Sequence, residues 1–190
     1  MLTSEADIKV ENVVATAALK HKIDLNALVK AFPEAEYRPK QFPGVVFRLK
    51  KPKTAALIFG TGKMVCTGAR SAKEAGKALR KIIRTLKDGG IIITGKLDVK
   101  VVNIVASVNL GGPVDILELF ESARDMRGRI IYEPDQFPGL IYRMTDPRAV
   151  FLIFSSGKVV CTGAKTEEDI YRSVNKLHNQ LEEKELIRDE

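Results

Sequence analysis

Tryptophan is absent from this 190-residue chain, and histidine and cysteine occur only twice each. Each scarcity removes a class of function. His21 and His178 stand apart, with no cysteine or carboxylate at metal-ligand spacing and no serine or cysteine nucleophile beside a credible base. Cys66 and Cys161 are too few for a disulfide framework, and they fall inside the β-like stretches MVCTG and VVCTG, where they read as small buried hydrophobes. No apolar run approaches the roughly 18 residues that span a bilayer. The opening MLTSEADIKV lacks the charged-then-apolar pattern of a secretory leader. GTGKMVCTG lacks phosphate-loop spacing and leads into a strand, so its glycines read as a hairpin turn. The expectation is an intracellular chain that meets no membrane, holds no cofactor and performs no catalysis.

What the chain does have is a repeat. QFPGVVFRLKKPKTAALIFGTGKMVCTGAR, beginning at Gln41, returns as QFPGLIYRMTDPRAVFLIFSSGKVVCTGAK, beginning at Gln136, with 16 identities in 30 gapless positions at an offset of 95. The chain therefore divides into repeats at 1–97 and 98–190. Their charges differ in sign: the first holds 19 Lys/Arg against 8 Asp/Glu, the second 12 against 16. Halves of one pattern and opposite charge imply different partners.

Each repeat reads as a strand, a short helix, three or four strands and a long helix. Asp24 caps the first short helix, and Ser71 with Glu74 forms a capping box ahead of Ala75, Ala78, Leu79, Ile82, Ile83 and Leu86, the apolar face of a helix that ends at Gly89-Gly90. Thr166 opens its counterpart, which buries Ile170, Val174, Leu177 and Leu181. Short strands joined by KKPK and GTG turns pair antiparallel. The fold class is α+β, with helices on one side of an antiparallel sheet.

The strands depart from the alternation of a half-solvated sheet. In NVVAT, Asn12, Val14 and Thr16 alternate with Val13 and Ala15; in ALIF, Leu57 and Phe59 alternate with Ala56 and Ile58; in MVCT, Val65 and Thr67 alternate with Met64 and Cys66. Both sets are uncharged, yet the helices suffice for one face only. The second face is either an open apolar surface, which marks a binding site, or is covered by a second sheet. Arg48, Lys63 and Arg70, and in the second repeat Arg143, Lys158 and Lys165, lie close to it. An apolar floor dotted with Asn and Thr and edged by cations suits the minor groove of DNA, whose walls are phosphates. Phe42 and Phe59, and 95 residues on Phe137 and Phe154, are either plugs beneath their turns or wedges that part base steps. Their recurrence as two pairs of the same spacing favours wedges.

These motifs, VENVVAT with VVNIVAS, EYRPKQFPGVVFRL with YEPDQFPGLIYRM, and ALIFGTGKMVCTGAR with FLIFSSGKVVCTGAK, resemble the TATA-box-binding protein family over about Ile8 to Leu186. DNA kinking is a property already attached to that family and comes with the resemblance. The resemblance implies two pseudo-symmetric repeats forming a curved, saddle-like sheet with helices on the convex face. It implies a general transcription initiation factor of the short archaeal type, working in a cytoplasm without a nucleus, as a monomer on double-stranded TATA-box DNA and with solution dimerisation left open.

Phe42, Phe59, Phe137 and Phe154 match its wedges. Asn12, Thr67, Asn103 and Thr162 match its polar contacts to base edges; Val14, Leu57, Val65, Val105, Leu152 and Val160 match its apolar contacts to the groove floor. Arg48 and Arg143 match phosphate contacts, and Lys63, Arg70, Lys158 and Lys165 are weaker candidates for that task. Glu133 and Asp135 match the acidic patch that meets transcription factor B, through which RNA polymerase follows; Arg38 and Lys40 occupy the equivalent places in the first repeat. The alternative is a nucleic-acid grip belonging to a DNA-repair or RNA-processing enzyme.

Overall fold

In the computed structural model the described residues are 7–126 and 129–188. They group into two compact units, one of Asn12–Val102 and one of Asn103–Glu190 joined by Met1–Glu11. The first unit takes up β1 (Ile8–Ala18, from residue 12 onward), α1 (Leu25–Ala31), β2 (Glu36–Tyr37), β3 (Val45–Lys50), β4 (Lys53–Ile58), β5 (Lys63–Ala69) and α2 (Ala72–Asp88). The second takes up β6 (Asp98–Asn109, from residue 103), α3 (Ile116–Ser122), a single 3-10 turn at Ala123–Asp125, β7 (Arg129–Ile131), β8 (Leu140–Thr145), β9 (Arg148–Ile153), β10 (Lys158–Ala164) and α4 (Glu167–Glu183). The expected order, β-α-β-β-β-β-α, occurs in both. The fourth strand of each repeat, ambiguous in the sequence, is the short outer one, β2 or β7.

In the first unit the strands lie in the order β2-β3-β4-β5-β1, and in the second β6-β10-β9-β8-β7. Neighbouring strands within each unit are antiparallel. α2 packs on β5, and α4 on β9 and β10. The α2 stripe of Ala75, Ala78, Leu79, Ile82 and Leu86 is fully buried, and so are Val13, Ala15, Val45, Ala56, Ile58, Met64 and Cys66 from the strands. Ile83 lies at the margin of that stripe and is only half-buried. The second core has the same composition, from Ile104, Ala106, Leu140, Phe151, Ile153 and Cys161 against Ile170, Val174, Leu177 and Leu181. Burying an aliphatic side chain of this kind contributes about 1.5–3 kcal/mol, so these one-sided contacts carry the fold.

The local signals act as expected. Asp24, Ser71 and Thr166 each accept a hydrogen bond from the backbone N–H three residues on, at 3.1, 3.0 and 3.0 Å. Asp115 does the same for α3 through Glu118 N–H at 3.1 Å. The helices also tie down the β3–β4 and β8–β9 turns: Lys81 Nζ donates to the carbonyl of Lys51, and Lys176 Nζ to that of Asp146. Among the described residues no helix is long and apolar enough to cross a membrane.

Both cysteines are free and buried. Removal from water pushes the Cys161 thiol up to about 11 and raises that of Cys66, with Ser173 and Thr54 opposing the shift through hydrogen bonds. A thiol whose folded value is raised stabilises the fold fully below its ordinary value and progressively less as pH climbs through the interval up to the folded value. Neither thiol is expected to react with a thiol-specific reagent at neutral pH until urea unfolds the chain, and stability is expected to fall between about pH 9 and 11.

The β4–β5 hairpin supplies a second expectation. Gly62 has φ +94°, and a Cβ there would lie 2.3 Å from the carbonyl oxygen of His21. Gly62→Ala is expected to cost about 1–3 kcal/mol in urea unfolding, through strain and collision with fixed backbone.

Candidate nucleic-acid interface

Cross-strand register assembles one continuous row on the uncovered face of the first unit: Val46 opposite Leu57, Leu57 opposite Val65, and Val65 opposite Thr16. A parallel row runs Arg48, Ala55, Thr67. The second unit repeats both, as Ile141, Leu152, Val160, Ser107 and as Arg143, Val150, Thr162. The uncharged members of these rows are half-buried, while the strand neighbours pointing the other way are buried except at Gly68 and Gly163. Every named strand falls in one of these two strand orders, so among the described residues no further sheet covers the face. Val46, Ile141 and Ser107 were not singled out in the sequence; only pairing reveals that they complete the rows.

The polar members are fixed by a β-bulge. Val13 faces Ala69 and Ala15 faces Cys66, so Thr67 and Gly68 together oppose the single residue Val14. The second unit has the same irregularity, Thr162 and Gly163 opposing Val105 between the pairs Ala164–Ile104 and Cys161–Ala106. A bulge leaves a ladder N–H without its regular partner. Here a side chain takes it: Gly68 N–H donates to Asn12 Oδ1 at 2.7 Å, and Gly163 N–H to Asn103 Oδ1 at 2.7 Å. That bond settles which end of each amide is oxygen. The Nδ2 group of Asn12 then donates to Thr67 Oγ1 at 3.1 Å, and that of Asn103 to Thr162 Oγ1 at 3.1 Å. One N–H of each amide stays available as a donor on an otherwise apolar surface, while each threonine hydroxyl makes a long bond to the same amide oxygen, at 3.4 Å for Thr67 and 3.3 Å for Thr162, which rotation about the C–O bond can exchange for an outside acceptor.

The repeated QFPG has an equally local cause. Arg38 O accepts from the N–H groups of Gln41 and Phe42, and Glu133 O from those of Gln136 and Phe137, all at 2.9 Å. The resulting turns bring Phe42 to Phe59 with ring centroids 5.7 Å apart, and Phe137 to Phe154 with 5.9 Å, both edge to face. Phe59 and Phe154 are held from the other side, where each opens the hairpin closed by Gly62 or Gly157. The glycine of QFPG lies under the rings: a Cβ on Gly44 would sit 2.9 Å from Phe42 and 3.0 Å from Phe59, and one on Gly139 would sit 2.8 Å from Phe137 and 3.1 Å from Phe154. Phe42 and Phe137 nonetheless remain 39% and 36% exposed. They are paired, but they do not fill a core.

The expected cations are all exposed, and they are not equivalent. Lys63 and Lys158 precede Val65 and Val160 by two residues and share their face. Arg70 and Lys165 follow the ends of β5 and β10, and Arg70 already engages a neighbour in the free chain. The Arg48 guanidinium is 2.7 Å from Glu36, an exposed ion pair worth at most about 1 kcal/mol. Glu133 and Asp135 lie exposed in the turn that leads to Phe137, and Arg38 and Lys40 in the turn that leads to Phe42.

A family model described as transcription factor TFIID (or TATA-binding protein, TBP) matches residues 7–89 and 98–184. The chain belongs to this family. It is similar to the TATA-box-binding protein of Pyrobaculum calidifontis, 51% identical over 92% of this chain and 86% of that one, and to that of Sulfurisphaera tokodaii, 48% identical over 97% and 91%. Among solved structures it is similar to Methanococcus jannaschii TBP, with a TM-score of 0.82 and 46% identity over 93% of this chain and 99% of that one.

The glycine beneath each ring pair generates a prediction. In Gly139→Ala the added methyl meets the far end of an exposed ring, which yields, so unfolding free energy is expected to change by less than about 1 kcal/mol. The Phe137 ring is expected to move from Phe154, read as altered ring-current shifts of both rings by NMR.

Proposed function

We propose that this chain is a general transcription initiation factor that binds the minor groove of TATA-box DNA, kinks it, and recruits transcription factor B and then RNA polymerase, without catalysis or cofactor. The observation that carries this reading is the recurrence, in both units, of an uncovered apolar face bearing a bulge-locked Asn–Thr donor pair and an exposed phenylalanine pair. We read the repeats 1–97 and 98–190 as the origin of the two units, although the units divide at residues 12 and 103 and do not follow the repeat boundaries. The active form on DNA is a monomer, acting at the nucleoid in the cytoplasm.

The chemistry follows from what each group meets. The minor-groove floor at A·T pairs offers only acceptors, adenine N3 and thymine O2, and the free N–H of Asn12 or Asn103 and the hydroxyl of Thr67 or Thr162 are donors. Guanine would place its N2 amine, a donor, against them and against the methyls of Val14, Val65, Val105 and Val160. Discrimination is therefore between A·T and G·C, with little power to tell A·T from T·A.

Apolar side chains of the rows, Leu57 and Leu152 among them, replace groove water without needing partners. The exposed rings of Phe42 and Phe137, backed by Phe59 and Phe154, enter base steps from the groove side. Unstacking costs a few kcal/mol per step, least at flexible pyrimidine–purine steps, and the bend brings more duplex onto the protein surface. Arg143, Lys63, Lys158, Arg70 and Lys165 meet the phosphates and contribute affinity that weakens with salt, and Arg48, tied to Glu36 at 2.7 Å, contributes less. Glu133 and Asp135 present an acidic turn to transcription factor B, where Arg38 and Lys40 would repel a basic partner.

Mobility-shift and bend measurements on TATA-containing duplexes test this reading. Replacing central A·T pairs with G·C is expected to weaken binding by about 1–3 kcal/mol per pair. Phe42→Ala and Phe137→Ala are each expected to reduce the bend angle. Equal affinity for the two duplexes, together with an unchanged bend in both variants, sinks the proposal.

A further inference from the structure

The outermost strands of the two units carry opposite charge. At the offset of 95, Glu34 and Glu36 of the first repeat correspond to Arg129 and Ile131 of the second. In the first unit Glu36 stands opposite Val46, and its carboxylate holds the Arg48 guanidinium at 2.7 Å. In the second, Arg129 stands directly opposite Arg143, and Ile131 opposite Ile141. Arg143 continues the row through Val150 to Thr162, so the arginine pair is the outer end of the row that carries a polar donor. Both arginines are exposed, and among the described residues neither has a carboxylate within ion-pair distance.

Like charges placed directly opposite each other destabilise a sheet. An anion set between them turns that repulsion into attraction toward both, and a phosphodiester presents the oxygens that guanidinium groups bind best. We infer that Arg129 and Arg143 together clamp the DNA backbone at the outer edge of the second repeat, and that Glu36 restrains Arg48 from the equivalent contact in the first. Salt-dependent affinity then comes mainly from the second repeat, although the first carries the larger positive charge. The inference rests on the DNA-binding reading above. An edge strand also gains protection against pairing with other chains from any charged side chain. That role is indifferent to the sign of the charge, which separates it from the clamp.

The test measures equilibrium binding of the full chain to a TATA-containing duplex across a KCl series, with wild type, Arg129→Ala, Arg129→Glu and Glu36→Ala compared. Loss of one phosphate contact flattens the plot of log affinity against log salt by about 0.9. Arg129→Ala is expected to show that change and roughly tenfold weaker binding near 0.1 M salt. Arg129→Glu is expected to flatten the plot by about twice as much, because the new carboxylate also engages Arg143. Glu36→Ala is expected to steepen it by about 0.9 as Arg48 is released. Both Arg129 variants are expected to melt no lower than wild type, since a repulsion is removed.

Wild-type slopes in both Arg129 variants, whatever their melting temperatures, overturn the clamp alone when wild type still prefers TATA DNA. Wild type that shows no such preference overturns the proposed function and the clamp with it.

Discussion

One-sided packing is the constraint on which the other features depend. In each unit the long helix, α2 or α4, packs against one face of five antiparallel strands, and the cores made by Leu79, Ile82 and Leu86 or by Val174, Leu177 and Leu181 are complete without the opposite face. That face is free of any folding duty, so its composition answers to something else. A solvated sheet surface would carry Lys, Glu or Gln at the positions of Val14, Leu57, Val65, Val105, Leu152 and Val160. These apolar residues are only half-buried.

Much of this arrangement is legible in the sequence itself. The duplication, the alternation of two uncharged sets, the Asp24, Ser71 and Thr166 caps and the buried cysteines are written in short windows of sequence, where side-chain period and capping chemistry act directly. The pairing of Phe42 with Phe59 was legible only through its repetition at Phe137 and Phe154.

Other features depend on partners distant in the chain and were not legible. Asn12 meets Gly68 across 56 positions, and the bulge that requires it has no signature beyond a glycine in a strand. The place of the QFPG glycine under two rings depends on where the next hairpin ends. Arg48 read as a free cation equivalent to Arg143; its ion pair with Glu36 follows from β2 lying beside β3, and a two-residue strand leaves almost no pattern to read. The outer strands of the two units therefore differ more than the repeat suggests, and the difference concerns electrostatics while the fold stays the same.

The bulge has a consequence for the energetics of recognition. A surface asparagine ordinarily samples several rotamers and must surrender them when a ligand arrives, at about 0.5–1.5 kcal/mol for each side chain immobilised. Asn12 and Asn103 have already given up that freedom on folding, because the backbone N–H of Gly68 or Gly163 holds the amide oxygen and the neighbouring threonine holds the nitrogen. Under the proposed function each would meet a duplex with its remaining hydrogen already oriented, so the entropy of orienting it belongs to the stability of the protein and is not charged against the affinity of the complex.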